Sequence, residues 1–144
     1  MGLIASFDLE GFEQRAWELE EKSGFAALHP TQKHYLAVLM FDGEVNNGGL
    51  SQYFFNSSGD YWRDALAGLE AMGFKERLVV LSTAIGKFGK GGPSEDRERR
   101  QNQLAKLERK SDAFEGLDDA YYKSKEFVEV FAKRYVLKNP EVFR

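Results

Sequence analysis

The residues of this chain best suited to chemistry lie together: Glu44, Asn47, Gln52 and Asn56, within the stretch running from Glu44 to Gly59. One carboxylate and three amides supply hydrogen-bond donors and acceptors, but no nucleophile and no redox group. Beside Tyr53, Phe54 and Phe55 they have the make-up of a small ligand pocket, in which a few polar groups stand among aromatic rings. The same residue types also serve architecture, because Asn and Ser side chains bond to backbone groups at turns and helix ends, here the Gly48-Gly49 break. Two readings follow, amides that satisfy the backbone at that break or amides that line a pocket. The architectural one predicts that removing Asn47 or Gln52 lowers stability by about 1–3 kcal/mol.

Other chemistries find little support. The chain has no cysteine, which removes disulfides, thiolate metal sites and Cys nucleophiles. His29 and His34 are five residues apart and do not share a helix face as an i, i+4 metal pair would. Neither Gly48-Gly49 nor the glycines between Gly86 and Gly92 fit a phosphate-binding or dinucleotide fingerprint, and no Ser lies in a nucleophile-elbow context. Adjacent carboxylates such as Glu20-Glu21 and Asp118-Asp119 point in different directions on a helix and read as solvated surface. No catalytic residue, metal or cofactor is therefore expected.

The elements that must position these residues are helices. Apolar residues recur at three- and four-residue steps, and no segment alternates with the two-residue period of a strand. Leu9, Phe12, Ala16, Trp17 and Leu19 predict a first helix from Asp8 to about Gly24. A second begins at Pro30 or Thr31, where proline fits the first turn, and runs out near Asn46–Gly49. A short buried helix follows through Leu50, Tyr53, Phe54 and Phe55. Ser58 or Asp60 is placed to cap the next, which carries Trp62, Leu66 and Leu69 and ends at Gly73.

A further helix from Phe74 buries Leu78, Val79, Leu81 and Ile85, then gives way to a glycine-rich loop ending at Pro93. From Ser94 comes a largely exposed helix with only Leu104 and Leu107 as prominent apolar residues. The region from Phe114 to Val136, with Leu117, Tyr121, Phe127, Val130, Phe131 and Tyr135 at helical spacing, packs back on the core. The fold class is thus all-α, a compact single-domain bundle of about six or seven short helices over 1–144.

Twelve Phe and six Tyr in 144 residues supply enough apolar area for a real core. Every apolar run is broken by charges well short of the ~20 residues that span a bilayer, and no secretion signal opens the chain, so a cytoplasmic location without membrane contact is expected. The net charge of −3 is unevenly spread. Residues 1–30 hold six acids against two bases, and residues 87–110 hold eight bases against four acids. Arg97, Arg99, Arg100, Lys106, Arg109 and Lys110 fall on one helix. Interspersed acids, the absence of stacking aromatics and a pI near 5.5 nevertheless argue against direct nucleic-acid binding.

The run from Phe41 to Gly59, with its Glu44, Asn47-Gly48-Gly49, Gln52-Tyr53-Phe54 and Asn56-Ser57-Ser58-Gly59, followed by Ala65-Leu66 and Met72-Gly73, resembles a bacterial helical domain family of unknown general function. That family includes a DNA-mimic protein. The distinctive motifs occupy 41–73. The resemblance implies an all-helical fold, a homodimer, and a regulator whose acidic surface stands in for DNA phosphates before a DNA-binding protein. On that expectation the acidic interaction face is Asp8, Glu10, Glu13, Glu18, Glu20 and Glu21, with Asp60, Asp64 and Glu70 as a second candidate. The rival is a small-ligand-binding or enzymatic domain centred on Glu44 to Asn56.

Overall fold

A computed structural model describes residues 24–110 and 112–143. The expected first helix and the acids from Asp8 to Glu21 lie outside the described residues. Among those described there are six α-helices and no strand: α1 (Pro30–Phe55), α2 (Trp62–Ala71), α3 (Glu76–Gly86), α4 (Arg97–Lys110), α5 (Glu115–Lys123) and α6 (Val128–Lys138). Short 3-10 turns occupy Phe25–Ala27 and Ser57–Tyr61. No helix among them is long and apolar enough to cross a membrane.

α1 starts where proline places it. The ring of Pro30 sets the first-turn geometry, His29 Nδ1 accepts from the backbone N–H of Thr31 at 3.1 Å, and Gln32 Oε1 reaches back to the N–H of His29 at 3.0 Å. His29 is thus a helix cap. Tyr35, Leu36, Ala37 and Val38 are all buried, so more than one face of α1 is covered. α2, α4, α5 and α6 all pack against this central helix.

α2 packs closest, because Gly68 has no Cβ to strike the carbonyl of His34, which such an atom would meet at 2.6 Å. The core then grows by aromatic packing: Phe41 meets Tyr53 edge-on at 4.9 Å and Tyr121 edge-on at 5.3 Å, and Phe54 meets Phe88 at a tilt at 4.7 Å.

The predicted interruption at Gly48-Gly49 is a break inside α1. Gly49 has φ +78, a left-handed value that favours glycine, and helical geometry resumes at Leu50. The expected stop at Gly73 is likewise present. With Gly73 at φ +85, the N–H of Phe74 bonds to the carbonyl of Leu69 and that of Gly73 to Glu70, closing α2 in a Schellman motif.

Several expectations need correction. Neither Ser58 nor Asp60 caps α2; Tyr61 stands at its N-cap position but makes no side-chain capping bond to the helix, and the chain enters through the 3-10 turn. The cap of α4 is Asp96, whose carboxylate accepts the N–H of Arg99 at 2.9 Å, while Ser94 Oγ accepts that of Asp96. Val79 is 63% exposed, and Arg77 is buried on the same helix. Phe127 and Val130 are also exposed, at 61% and 48%, because the chain breaks between α5 and α6 and one continuous helical stripe does not run from Phe114 to Val136.

Candidate functional site

Glu44, Gln52 and Asn56 are brought together across the Gly48-Gly49 break. Gln52 Nε2 and Asn56 Nδ2 both donate to Glu44 Oε2 at 2.9 Å. Asn47 is further out; its Nδ2 reaches Gln52 Oε1 at 3.4 Å on the exposed side. Two charge-assisted bonds thereby tie the turn before the break to the helix end after it. The break permits this, since Gly48 has no Cβ to collide with the Gln52 side chain. A cavity of about 500 Å³ opens beside the cluster, lined by Glu44, Asn47 and Gln52 together with Leu39, Met40 and Tyr61.

These amides do not satisfy the backbone at the break. The N–H of Leu50, at the start of the resumed helix and so without a partner in the turn before it, goes to Asp118 Oδ1 at 2.8 Å. One turn along α5, the Tyr122 hydroxyl donates to the carbonyl of Val45 at 2.8 Å, just before the break. Asp118 is therefore not a simple surface carboxylate beside Asp119. Burial pushes its carboxyl up from the ordinary value; the charges of Asp112 and Asp119 add to that, and the Leu50 N–H opposes it. The neighbouring Tyr121 hydroxyl bonds to Asp42 Oδ1 at 2.6 Å, and Arg77 bonds to the same oxygen at 3.0 Å while its guanidinium lies over the Tyr121 ring.

The C-terminal end of α1 is held by the supposedly exposed basic helix. Arg100 has no solvent exposure, and all five of its N–H donors are used. They go to the carbonyl of Phe54 at 2.7 Å, Asn56 at 2.8 Å, Ser94 at 3.0 Å and Glu95 at 3.3 Å, and to the carboxylate of Asp60 at 2.7 Å. Arg97 and Gln101 add bonds to the carbonyl of Phe55. A helix C-terminus leaves its last carbonyls unpaired and carries partial negative charge, so cations are stabilised there. Gly59 makes the approach possible, because a Cβ there would lie 2.8 Å from Arg100 Nε and 2.6 Å from the Tyr53 carbonyl.

The second candidate acidic face is accordingly divided. Asp60 is spent on Arg100, Asp64 is half-buried, and Glu70 is exposed. In the basic set, Arg100 is buried and Arg97 is engaged with α1, while Arg99, Lys106, Arg109 and Lys110 remain exposed. Sequence reasoning missed Arg100 and Asp118 as organising residues. The signal for Arg100 was the glycine at 59, which a chain needs where another group comes within contact distance of its backbone.

Around the buried Tyr53 hydroxyl the carboxylates of Glu44, Asp60 and Asp64 act against the single charge of Arg100. Burial, ahead of these charges, pushes the Tyr53 hydroxyl well above its ordinary range.

Comparison with known proteins adds one match. A family model described as DMP19-like protein covers residues 26–139, a span that includes all the motifs between 41 and 73. No curated protein and no solved structure matches the chain.

Proposed function

The chain belongs to the DMP19-like protein family, and on that premise we propose that it is a non-enzymatic protein-interaction module, a DNA-mimic-like regulator that pairs with a second copy and binds a DNA-binding protein. The observation that carries this reading is the family match itself, which runs over most of the chain and takes in every element from α1 to α6. Carboxylates supply the surface. Glu115 and Asp119 stand exposed on α5 with Asp112 just before it, and Glu70 is exposed on α2; by charge alone the acids Asp8, Glu10, Glu13, Glu18, Glu20 and Glu21, outside the described residues, are further candidates for the interaction. Carboxylates can stand in for phosphates before a basic protein surface because both present anionic oxygens to Arg and Lys. The exposed cations of α4, Lys106, Arg109 and Lys110, support pairing with a second copy through charge complementarity to its acid-rich residues 1–30.

The test is competition. The full chain is immobilised, exposed to native lysate, and the bound proteins are eluted with short duplex DNA; a DNA-binding protein should appear in that eluate. If nothing is displaced by duplex, mimicry is wrong. The cavity beside Glu44 favours a second reading, a small-ligand or enzymatic site, and it predicts instead that Glu44→Gln abolishes binding of a small molecule without affecting any protein partner.

A further inference from the structure

We propose that the cavity beside Glu44 is the seat of an arginine side chain presented by the partner protein, an inference that rests on the protein-interaction reading above. Charge comes first. Among the described residues Glu44 is the one carboxylate in the cavity wall, and none of those lining it is Lys, Arg or His. An anionic pocket without an internal cation selects a cationic guest.

The hydrogen-bonding capacity of the wall is only partly used. Gln52 and Asn56 both donate to Oε2 of Glu44. Among the described residues nothing donates to Glu44 Oε1 or to Asn47 Oδ1. The two amide donors fix the Glu44 carboxylate in place, so a guest meets an acceptor that is already oriented.

The shape of the wall then selects arginine over lysine. Leu39, Met40 and Tyr61 give an apolar lining that covers the stem of a long cationic side chain. Glu44 and Asn47 line the cavity about one helical turn apart on α1, so its acceptors are not gathered at one point. A planar guanidinium with five donors addresses spread acceptors, whereas an ammonium is a compact point charge that gives up its water at greater cost. About 500 Å³ leaves room for the whole side chain. A DNA-binding protein offers arginines at the surface it turns toward phosphate, and the cavity would capture one of them.

The experiment titrates the full-length, nitrogen-15-labelled chain with N-acetyl-arginine amide, N-acetyl-lysine amide and the neutral isostere N-acetyl-citrulline amide, following amide signals by NMR. The expected result is saturable shifts of the Gln52 and Asn56 side-chain amides and of the Gly43 and Ser57 backbone, with the citrulline compound weaker by roughly tenfold or more for want of charge. Asn47→Asp, at an exposed position, should tighten arginine binding by adding a second carboxylate, and Glu44→Gln should remove it. Equal binding of arginine and citrulline, preference for lysine, shifts confined to other residues, or no saturation would each overturn the assignment. The comparison of arginine with citrulline is made on the unaltered protein, so it decides the matter even if Glu44→Gln fails to fold. Recovery of a duplex-displaceable partner without arginine-dependent shifts would sink this inference alone, whereas shifts without any such partner would sink the regulatory reading and leave the pocket chemistry.

Discussion

Asp118 Oδ1 accepts the backbone N–H of Leu50 at 2.8 Å across 68 residues of sequence, and so caps the half-helix that resumes after Gly49. Replacing Asp118 by Ala leaves that donor unpaired in a partly buried place, and a loss of about 1–3 kcal/mol is expected in urea denaturation. Asp118→Asn keeps an acceptor of the same shape and should cost clearly less. Equal losses for the two variants would show that the cap contributes nothing.

The same carboxyl makes a pH prediction. Burial raises its folded-state pKa above the ordinary value, so in the window between the two the folded chain holds a proton that the unfolded chain has released. The contribution of this group is therefore fully present below the unfolded pKa and declines as pH rises through the folded one. Stability curves of the wild type and Asp118→Asn should diverge over that window, with the variant losing less as pH rises toward neutrality. Parallel curves would refute the linkage.

Arg100 offers the largest predicted effect. Arg100→Met leaves the carbonyls of Phe54, Asn56 and Ser94 without their donor, and although the Asp60 carboxylate is 33% exposed and can turn to water, these lost bonds together are expected to cost about 3 kcal/mol. Arg100→Lys should recover only part, since an ammonium cannot reproduce five directed bonds. Arg63→Ala is the control: its pair with Glu95 is 61% exposed on both sides, and a change of about 0–1 kcal/mol is expected. Thermal or urea melts of the three variants rank these effects directly.

Within the amide cluster the structure separates two residues that the sequence treats alike. Gln52→Ala removes a 2.9 Å bond to a carboxylate and should cost about 1–3 kcal/mol. Asn47→Ala removes only an exposed 3.4 Å contact, and its melt should stay within about 0.5 kcal/mol of wild type. A large loss at Asn47 would mean that its role is misassigned.

Duplex DNA should not bind the chain appreciably. Counterion release requires several cations aligned on one face, and Arg100 is buried while Arg97 is engaged with the end of α1. Fluorescence anisotropy with labelled duplex at about 0.15 M salt checks this. Saturable binding tighter than ~1 μM, beyond the usual non-specific range, would contradict it.

Local sequence determined the helical class, the start at Pro30, the break at Gly48-Gly49 and the stop at Gly73, because each depends on the period of a few neighbouring residues or on the φ a single residue can adopt. Tertiary structure decided the fate of the charges. Arg100 reads as one of six solvated cations on a polar helix, yet it lies under α1, 46 residues from the Phe54 carbonyl it serves. Asp118 reads as half of a surface pair, yet it caps a helix begun 68 residues earlier. Val79, Phe127 and Val130 read as core and stand in water. Periodicity tells which residues share a face, but whether that face meets a neighbour, and whether a charge there is solvated or spent on an unpaired carbonyl, depends on contacts between distant segments that no local spacing encodes.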